Sequence, residues 1–358
     1  MKPYWSTRIQ NIIPYTPGEQ PRDRKFIKLN TNENPYPPSP AVLQAIRDEA
    51  GDSLRLYPDP EASALRAAAA RFYDLTPEEI FVGNGSDEVL AFAFQAFFDP
   101  GKTIAFPDIT YSFYPVYADL FGIPYDRIPL NDDFTFPTER FCTGTHAGIV
   151  VCNPNAPTGI QLPLDRIEQI IRANPNVVVL VDEAYIDFGG TSALGMIRQY
   201  PNLLIIQTMS KSRSLAGMRI GLAFGNPNLI AGLNAVKNSF NSYTMDRLAL
   251  AAGTAALKDR AYFDETRNRV IAARERTADT LREMGFTVHP SCTNFLFISH
   301  PGHSAAALQK ALRARGILVR HFNQPRIEEY LRVSIGTDEE MAAFCAAMAE
   351  LVSEGGAD

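Results

Sequence analysis

The sequence predicts an α/β fold, with a mainly parallel sheet in a large domain and a smaller α+β domain after it. Fully apolar runs such as residues 177–181 have the composition of strands that are covered on both faces, as they are in parallel sheets. Such runs alternate with helical segments over much of the chain, in the manner of βαβ units. A length of 358 residues favours two domains over one.

The first forty residues predict an ordered arm or loop rather than a strand or helix. They are rich in proline, asparagine and tyrosine, and the segments 14–18 and 32–38 interrupt any regular element. Two helices are predicted to follow, at residues 40–49 and 62–73. The second contains four successive alanines, which favour a helix.

The next part of the chain supplies the predicted sheet. Its strands are expected at residues 79–82, 103–106, 148–152, 177–181, 203–208 and 220–224. Helices are expected among and after them at residues 87–98, 112–121, 164–172, 228–239 and 245–257. We therefore predict a large domain over residues 41–260, after an arm of residues 1–40.

A charged, amphipathic stretch at residues 262–284 is long enough to bridge two domains. After it the sequence predicts the elements of the smaller α+β domain, which we place at residues 261–358. Its strands are expected at 294–299, 317–320 and 331–335, and its helices at 304–315 and 338–351.

Composition and charge exclude several classes of protein. The chain is 46% hydrophobic and 21% charged, as ordinary globular proteins are. A net charge of -6 and scattered basic residues argue against a nucleic-acid partner. No apolar run reaches the roughly 18 residues of a membrane helix, and the first residues do not resemble a signal peptide, so we expect a cytoplasmic protein without a membrane partner.

Cysteines and histidines give no sign of a metal site. The four cysteines stand far apart without a Cys-x-x-Cys pair, so we expect them to be reduced and to have packing roles. His300 and His303 have proline and glycine between them, and the sequence suggests no third ligand. No metal is therefore predicted.

Lys211 is the first candidate for catalysis. It follows the predicted strand at residues 203–208, directly after Ser210, and Arg219 stands eight residues further on. An ammonium that is partly desolvated beside a fixed cation loses its proton more easily, and a neutral amine attacks carbonyls to form a Schiff base. Alone, a Ser-Lys pair is more often an ordinary solvated loop, so the remaining motifs decide.

Polar segments follow four of the predicted strands, and in open α/β sheets ligands bind beyond the carboxyl ends of the strands. The segment 83–87 lies between a strand and a helix, where backbone N–H groups can hold a phosphate. It is not a dinucleotide-binding fingerprint, because Glu88 stands where the third glycine would be needed. The other segments are 153–159, 182–185 and 210–211.

Asp182 would end a buried strand, where a carboxylate needs a cation or several donors. A protonated pyridine nitrogen is such a cation, although a helix N-cap explains Asp182 alone equally well. Asn153 and Tyr185 can hydrogen-bond a ring oxygen, and Tyr111 offers an aromatic face for stacking. Each of these three could equally be ordinary packing.

Seven segments in chain order resemble the fold type I family of pyridoxal phosphate enzymes, and most closely the histidinol-phosphate aminotransferases. The resemblance runs nearly from end to end, and the family's fold implies a seven-stranded, mainly parallel sheet. The segments are Leu-Asn-Thr-Asn-Glu-Asn-Pro at 29–35, Leu-Tyr-Pro-Asp at 56–59, Gly-Asn-Gly-Ser-Asp-Glu at 83–88, Asn-Pro-Asn-Ala-Pro-Thr-Gly at 153–159, Asp-Glu-Ala-Tyr at 182–185, the run 210–219, and Leu-Arg-Val-Ser-Ile-Gly-Thr at 331–337.

The resemblance implies a pyridoxal 5'-phosphate cofactor and a role for each motif residue. Lys211 would form the Schiff base, Asp182 would pair with the ring nitrogen, Asn153 and Tyr185 would bind the phenolic oxygen, and Tyr111 would stack on the ring. The catalytic residues would be Lys211, Asp182 and Tyr185. The resemblance also implies a homodimer with a shared active site. The cofactor phosphate would be bound by Gly85, Ser86, Asp87, Ser210 and Arg219 of one subunit and by Tyr57 of the other.

Four further residues resemble the family's substrate contacts, namely Tyr15 in the arm, Asn32, Arg320 and Arg332. For the two arginines, bidentate binding of carboxylate or phosphate is a stronger hypothesis than a surface ion pair. The family's reaction is a ping-pong transamination between histidinol phosphate and 2-oxoglutarate in histidine biosynthesis. An aromatic amino-acid aminotransferase, a threonine-phosphate decarboxylase of the same fold and a catalytically silent binding protein remain alternatives.

Overall fold

Two β-sheets, one of seven strands and one of five, organise the part of the chain that the computed structural model describes, residues 4–10, 12–21 and 24–354. The strands are β1 (Ile27–Leu29), β2 (Ile80–Asn84), β3 (Ile104–Pro107), β4 (Tyr125–Ile128), β5 (Ile149–Cys152), β6 (Val179–Asp182), β7 (Leu203–Thr208), β8 (Ile220–Gly225), β9 (Thr287–Val288), β10 (Phe295–Ser299), β11 (Ile317–His321) and β12 (Leu331–Ser334). The α-helices are α1 (Thr7–Gln10), α2 (Pro40–Glu49), α3 (Ser63–Tyr73), α4 (Gly85–Phe97), α5 (Phe113–Phe121), α6 (Leu164–Ala173), α7 (Pro227–Phe240), α8 (Arg247–Lys258), α9 (Arg260–Glu283), α10 (Ala305–Ala314) and α11 (Asp338–Glu354).

The seven-stranded sheet has the order β2-β8-β7-β6-β5-β3-β4 and is mainly parallel, as predicted. Only β8 runs antiparallel to its neighbours, to β2 on one side and to β7 on the other. The six strands predicted for this sheet are all present, with small shifts at their ends. The seventh strand, β4, escapes prediction because this edge strand contains two exposed charged residues and no apolar run.

The strands at the centre of this sheet are apolar because both faces of the sheet are covered. Val179 and Val181 belong to one core, whereas Leu180 between them belongs to the core on the opposite face. Side chains of α3 and α8 complete the first core, and side chains of α4 and α5 complete the second. Polar side chains can therefore gather only at the strand ends.

The five-stranded sheet has the order β1-β11-β12-β10-β9 and shares a third core with α9, α10 and α11. It corrects the prediction for the first forty residues, because β1 is a strand that pairs in parallel with β11. The single turn of α1 also lies within the predicted arm. A strand of three residues is too short for a periodic pattern, and its partner stands near the other end of the chain. The division into domains at residue 260, where α9 begins, stays a prediction.

Other features bear on the class of protein. Within residues 4–10, 12–21 and 24–354, no helix combines the length and the apolarity that a membrane span requires. The same residues contain no group of three or more His, Cys, Asp or Glu side chains that could hold a metal ion. All four cysteines are unpaired.

Candidate active site

A cavity of about 610 Å³ is lined jointly by residues that follow strands of the seven-stranded sheet and by residues of the five-stranded sheet and the arm. Its volume is typical of small-molecule and cofactor sites. Most of the predicted site residues line it, namely Tyr15, Asn32, Ser86, Asp87, Tyr111, Asp182, Tyr185, Ser210, Lys211, Arg219, Arg320 and Arg332. Segments that are far apart in the sequence thus meet at one place.

Lys211 projects its amine into this cavity, shortly after the end of β7. Its Nζ donates a hydrogen bond to the backbone oxygen of Thr31 at 3.3 Å and lies 5.8 Å from the centre of the Tyr185 ring. Desolvation, helped by the positive charge of Arg332, lowers the pKa of Lys211 to about 8. A neutral amine is therefore far more accessible here than at a surface lysine.

Asn34 fixes the main chain that carries this lysine, and sequence analysis assigned it no role. Its Nδ2 donates to the backbone oxygen of Lys211 at 2.9 Å and to that of Ser212 at 3.3 Å. Its Oδ1 accepts from the backbone N–H of Tyr36 at 3.0 Å. The motif at 29–35 was the available signal, but only the folded chain shows that it braces the loop after β7.

Asp182 is the last residue of β6 and is almost completely buried. Its Oδ2 accepts from the hydroxyl of Tyr114 at 2.8 Å, and its Oδ1 accepts from the backbone N–H of Ala184 at 3.2 Å. It forms no ion pair with any residue in the described part of the chain. Burial therefore raises the pKa of Asp182 to about 6. The helix α5, which carries Tyr114, was predicted, but this contact was not.

Tyr185 and Asn32 form a hydrogen-bonded pair at the cavity wall. The Nδ2 of Asn32 donates to the hydroxyl oxygen of Tyr185 at 3.0 Å. Ser334 orients Asn32, since its Oγ donates to Oδ1 and accepts from the backbone N–H, both at 2.8 Å. Burial raises the pKa of Tyr185 to about 12, so its hydroxyl keeps a proton that it can donate.

The start of α4 lies against the guanidinium of Arg219. Gly85 begins the helix with a φ of 80°, and a side chain there would put a Cβ 2.4 Å from Nη2 of Arg219. The guanidinium lies against the helix start, where Nη2 donates to Oδ2 of Asp87 at 3.0 Å. The hydroxyl of Tyr111 donates to Oδ1 of the same carboxylate at 3.0 Å. N–H groups of a first helical turn lack helical partners and attract anions.

The arm contributes an aromatic side chain to the same cavity. The Tyr15 ring stacks on that of Phe113, with 4.7 Å between their centres, and lies 6.4 Å from the centre of Tyr111. Tyr111 in turn meets Tyr114 edge to face at 5.6 Å. These contacts place an aromatic wall beside Asp87 and Asp182.

Arg320 and Arg332 face each other across neighbouring strands β11 and β12. Arg332 lies over the ring of Phe295 at 5.3 Å, and its Nη2 donates to the backbone oxygen of Asn30 at 3.3 Å. Its Nε is buried without a hydrogen-bond partner, and neither arginine pairs with a carboxylate of the described residues. Burial, reinforced by Arg320, lowers the pKa of Arg332. An enclosed cation of this kind calls for an anionic ligand.

Asn153 does not line this cavity, and its predicted contact with the cofactor stays a prediction. The side chain is fully buried, its Oδ1 accepts from the N–H of Leu162 at 2.8 Å and its Nδ2 donates to the carbonyl of the same residue at 3.1 Å. Ala156 and Pro157 of the same segment line the cavity instead. Asn155 does not line the cavity either, since its Nδ2 donates to the backbone oxygen of Ile109 and to the hydroxyl of Thr158.

Tyr57 does not line the cavity of its own chain. It is 77% exposed and stacks on Tyr243, with ring centres 4.6 Å apart. Its predicted contact with a second subunit therefore stays a prediction.

Comparisons with known proteins agree with this geometry. The sequence model of the class I and II aminotransferases matches residues 24–348. The chain is 53% identical to the histidinol-phosphate aminotransferase of Clostridium acetobutylicum, over 99% of this chain and 100% of that protein. It is 54% identical to the histidinol-phosphate aminotransferase of Aromatoleum aromaticum, over 98% of this chain and 100% of that protein.

Solved structures show the same fold. The histidinol-phosphate aminotransferase of Sinorhizobium meliloti, solved in complex with pyridoxal-5'-phosphate, has a TM-score of 0.88 and 26% identity over 98% of both chains. The aspartate aminotransferase of Thermus thermophilus has a TM-score of 0.80 and 21% identity, over 97% of this chain and 99% of that chain. The chain therefore belongs to the class I and II aminotransferase family, and it is a transaminase of the fold type I architecture.

Proposed function

We propose that this transaminase binds pyridoxal 5'-phosphate and transfers the amino group of histidinol phosphate to 2-oxoglutarate, a step of histidine biosynthesis. The observation that carries the proposal is one cavity lined by Lys211, Asp182 and Arg332, which supply a reactive amine, a buried carboxylate and an unpaired guanidinium. Relatives that match nearly the whole chain are named for the same donor, which supports its choice.

The side chains present fit the cofactor. Asp182 has two neutral donors and no cationic partner within residues 4–10, 12–21 and 24–354, so a protonated ring nitrogen would complete its environment. The first N–H groups of α4, those of Ser86 and Asp87, would bind the phosphate together with Arg219, and Tyr111 would cover a ring face. When bound, pyridoxal 5'-phosphate supplies an electron sink for the bond that breaks at the substrate carbon.

Lys211 would act as the proton carrier of the reaction. Its Nζ would take the proton from the carbon that bears the substrate's amino group and would deliver it to the aldehyde carbon of the cofactor. The lowered pKa keeps a useful fraction of the amine neutral near neutral pH. Thr31 accepts from the amine and Asn34 binds the backbone of the same residue, so the amine is held in position before the reaction.

Tyr185 would donate its hydroxyl proton to the phenolic oxygen of the cofactor. Its oxygen already accepts a hydrogen bond from Asn32, so the proton is directed away from Asn32. Tyr185 lines the cavity and Asn153 does not, which supports Tyr185 for this contact.

Arg320 and Arg332 would bind the anionic groups of both substrates. In the first half of the reaction they meet the phosphate of the amino donor, and in the second half a carboxylate of the oxo acid. Because neither guanidinium pairs with a carboxylate in the described part of the chain, one anion can replace another without breaking an ion pair there. Tyr15 would shield these groups from water.

A homodimer would complete the site. Tyr57 belongs to a set of exposed large apolar side chains, and such patches mark interaction surfaces. Within this set Tyr57 stacks on Tyr243, and Leu54, Leu56 and Phe240 stand within three residues of one of these two in the chain. We propose that a second copy of the chain covers it and brings Tyr57 to the partner's cofactor phosphate. The free cysteines fit a reducing compartment such as the cytoplasm.

A panel of amino donors tests the proposed substrate. Purified protein loaded with pyridoxal 5'-phosphate is incubated with 2-oxoglutarate and one of histidinol phosphate, phenylalanine, tyrosine or threonine phosphate. We expect glutamate to form fastest with histidinol phosphate. Faster turnover of an aromatic amino acid, or release of carbon dioxide from threonine phosphate, would replace this donor with another.

A further inference from the structure

Arg326 lies on the loop between β11 and β12, outside the residues predicted for the site. Its Nη1 donates to Oδ2 of Asp108, and its Nη2 donates to the backbone oxygens of Leu130 and Asn131, each at 2.9 Å. Asp108 follows β3, and the other two acceptors follow β4. One guanidinium on the five-stranded sheet thus makes three hydrogen bonds to the edge of the seven-stranded sheet.

Other contacts fix the groups around this guanidinium. Oδ1 of Asp108 accepts from the N–H groups of Ile109 at 2.8 Å and Leu130 at 2.9 Å, which leaves Oδ2 for the arginine. The Cζ of Arg326 lies 5.7 Å from the centre of the Phe134 ring. Arg326 has a φ of 73°, a left-handed conformation that a non-glycine residue keeps only where the surrounding structure imposes it.

Apolar packing joins the same two parts of the molecule. Ile109, Leu130 and Phe134 from the seven-stranded side form one buried cluster with Phe297 of β10 and Ile327 of the loop. This cluster excludes water beside the ion pair of Arg326 and Asp108, which are both only partly exposed. A less hydrated ion pair resists screening by salt better than an exposed one.

The loop held by Arg326 connects the two strands that carry the paired arginines. Arg320 of β11 and Arg332 of β12 lie on either side of it, and both guanidiniums approach the ring of Phe322, at 5.8 and 5.6 Å. Two guanidiniums that lie near the same ring repel each other, so the backbone that carries them must be fixed if both are to face one anion. The loop also contributes Phe322 and Ile327 to the cavity lining.

We propose that Arg326 is a positioning residue that fixes Arg320 and Arg332 relative to the wall bearing Lys211, and thereby sets the affinity for anionic substrates. The inference rests on the proposed function for the identity of those anions. It does not involve contact between Arg326 and substrate, since the three hydrogen bonds use the guanidinium for the protein itself.

The test compares the cofactor-loaded wild type with Arg326→Gln. Succinate, a dicarboxylate with neither an amino nor an oxo group, serves as the binding probe in calorimetry. We expect its Kd and the KM for 2-oxoglutarate each to rise about tenfold, because the loop relaxes. The kcat and the visible absorbance without ligand should stay within about twofold, because the residues that contact the cofactor are unchanged.

Three further variants control this experiment. Arg276→Gln removes another arginine of the same domain, whose ion pair with Asp338 is far more exposed, and should leave succinate binding unchanged. Asp108→Asn removes the carboxylate partner of Arg326. When it is combined with Arg326→Gln, succinate binding should be no weaker than in Arg326→Gln alone. Arg326→Lys keeps the charge, but one nitrogen cannot reach three acceptors, so the affinity for succinate should fall about threefold. This variant replaces Arg326→Gln if the glutamine variant does not fold.

Unchanged succinate binding in Arg326→Gln would overturn the inference. So would parallel losses of binding, kcat and visible absorbance, because they would indicate a general structural role. The two proposals can fail separately. If succinate binding depends on Arg326 but the wild-type protein does not use histidinol phosphate, the proposed donor is contradicted and this inference still stands.

Discussion

The cavity has two walls of different construction. The wall that we propose for the cofactor, here called the cofactor wall, lies at one edge of the seven-stranded sheet and includes Ser86, Asp87, Tyr111, Asp182, Lys211 and Arg219. The substrate wall comes from the arm, β1 and the arginine-bearing strands, and consists of Tyr15, Asn32, Arg320 and Arg332. In the cofactor wall Asp87 binds Arg219 and Tyr111, whereas neither cation of the substrate wall pairs with a carboxylate among the residues that the structure describes.

This difference fits the residence time of the two kinds of ligand. A wall whose side chains hold each other in place is preorganised for a group that stays bound through every cycle. A wall with unpaired cations suits anions that must enter, react and leave. Changes to the cofactor wall should therefore alter absorbance and kcat, and changes to the substrate wall should alter KM.

The largest effect is expected for Lys211→Ala. Without the amine there is no base of the right position to move the substrate proton, so kcat should fall by at least about a thousandfold. Steady-state assays with saturating histidinol phosphate and 2-oxoglutarate measure it. Lys102→Ala, at an exposed surface ion pair, is the control and should match the wild type. Turnover of Lys211→Ala within tenfold of the wild type would remove the distinction between the walls.

A smaller effect is expected for Arg332→Gln on the substrate wall. Loss of an enclosed charge that binds an anion should raise the KM for 2-oxoglutarate on the order of a hundredfold. The visible absorbance maximum of the cofactor-loaded protein should shift less than the KM changes, because Arg332 acts on Lys211 only through its charge and donates its hydrogen bond to Asn30 instead. A shifted absorbance with an unchanged KM would assign Arg332 to the cofactor instead.

The pH dependence of cofactor capture probes the cofactor wall in the protein freed of cofactor. Below the pKa of about 8 the amine of Lys211 is mostly protonated and unreactive, so the capture rate should rise about tenfold per pH unit and level off above pH 8. Stopped-flow absorbance records the rate. Butylamine, whose amine titrates near that of an ordinary lysine, about 10.5, should continue to accelerate above pH 9. A protein profile that follows butylamine would contradict the desolvated lysine.

The smallest effect on activity is expected for Asn153→Ala. The change removes the partners of both backbone groups of Leu162, so the free energy of unfolding should fall by about 1–3 kcal/mol. Visible absorbance and kcat should stay close to those of the wild type, because the side chain does not reach the cavity. Urea unfolding and absorbance spectra decide. A displaced absorbance maximum at unchanged stability would restore Asn153 to the cofactor wall.

Local sequence patterns pointed to residues of the cofactor wall for a physical reason, whereas the residues of the substrate wall came only from the resemblance to the family. Lys211, Asp182 and Ser86 each stand just after an apolar strand, and the carboxyl ends of parallel strands meet at one edge, so local patterns carry the information. The pairing of β1 with β11 and the bond from Arg326 to Asp108 join distant segments. No local pattern encodes them.

The direction in which a side chain points was the other property that the sequence could not predict. Asn153 was placed in the correct segment, but a turn with several polar residues can point any of them inward, and only the contacts with Leu162 resolve this. Tyr114 is indistinguishable in sequence from other aromatic core residues of α5, and its hydrogen bond to Asp182 appears only when the helix packs on the sheet.

Reduction of the purified, cofactor-loaded protein with borohydride, followed by peptide mass mapping, tests the central claim most directly. The treatment makes any bond between the cofactor aldehyde and a lysine permanent. The account predicts a single modified lysine, Lys211. A cofactor attached to any other lysine, with Lys211 unmodified, would contradict it.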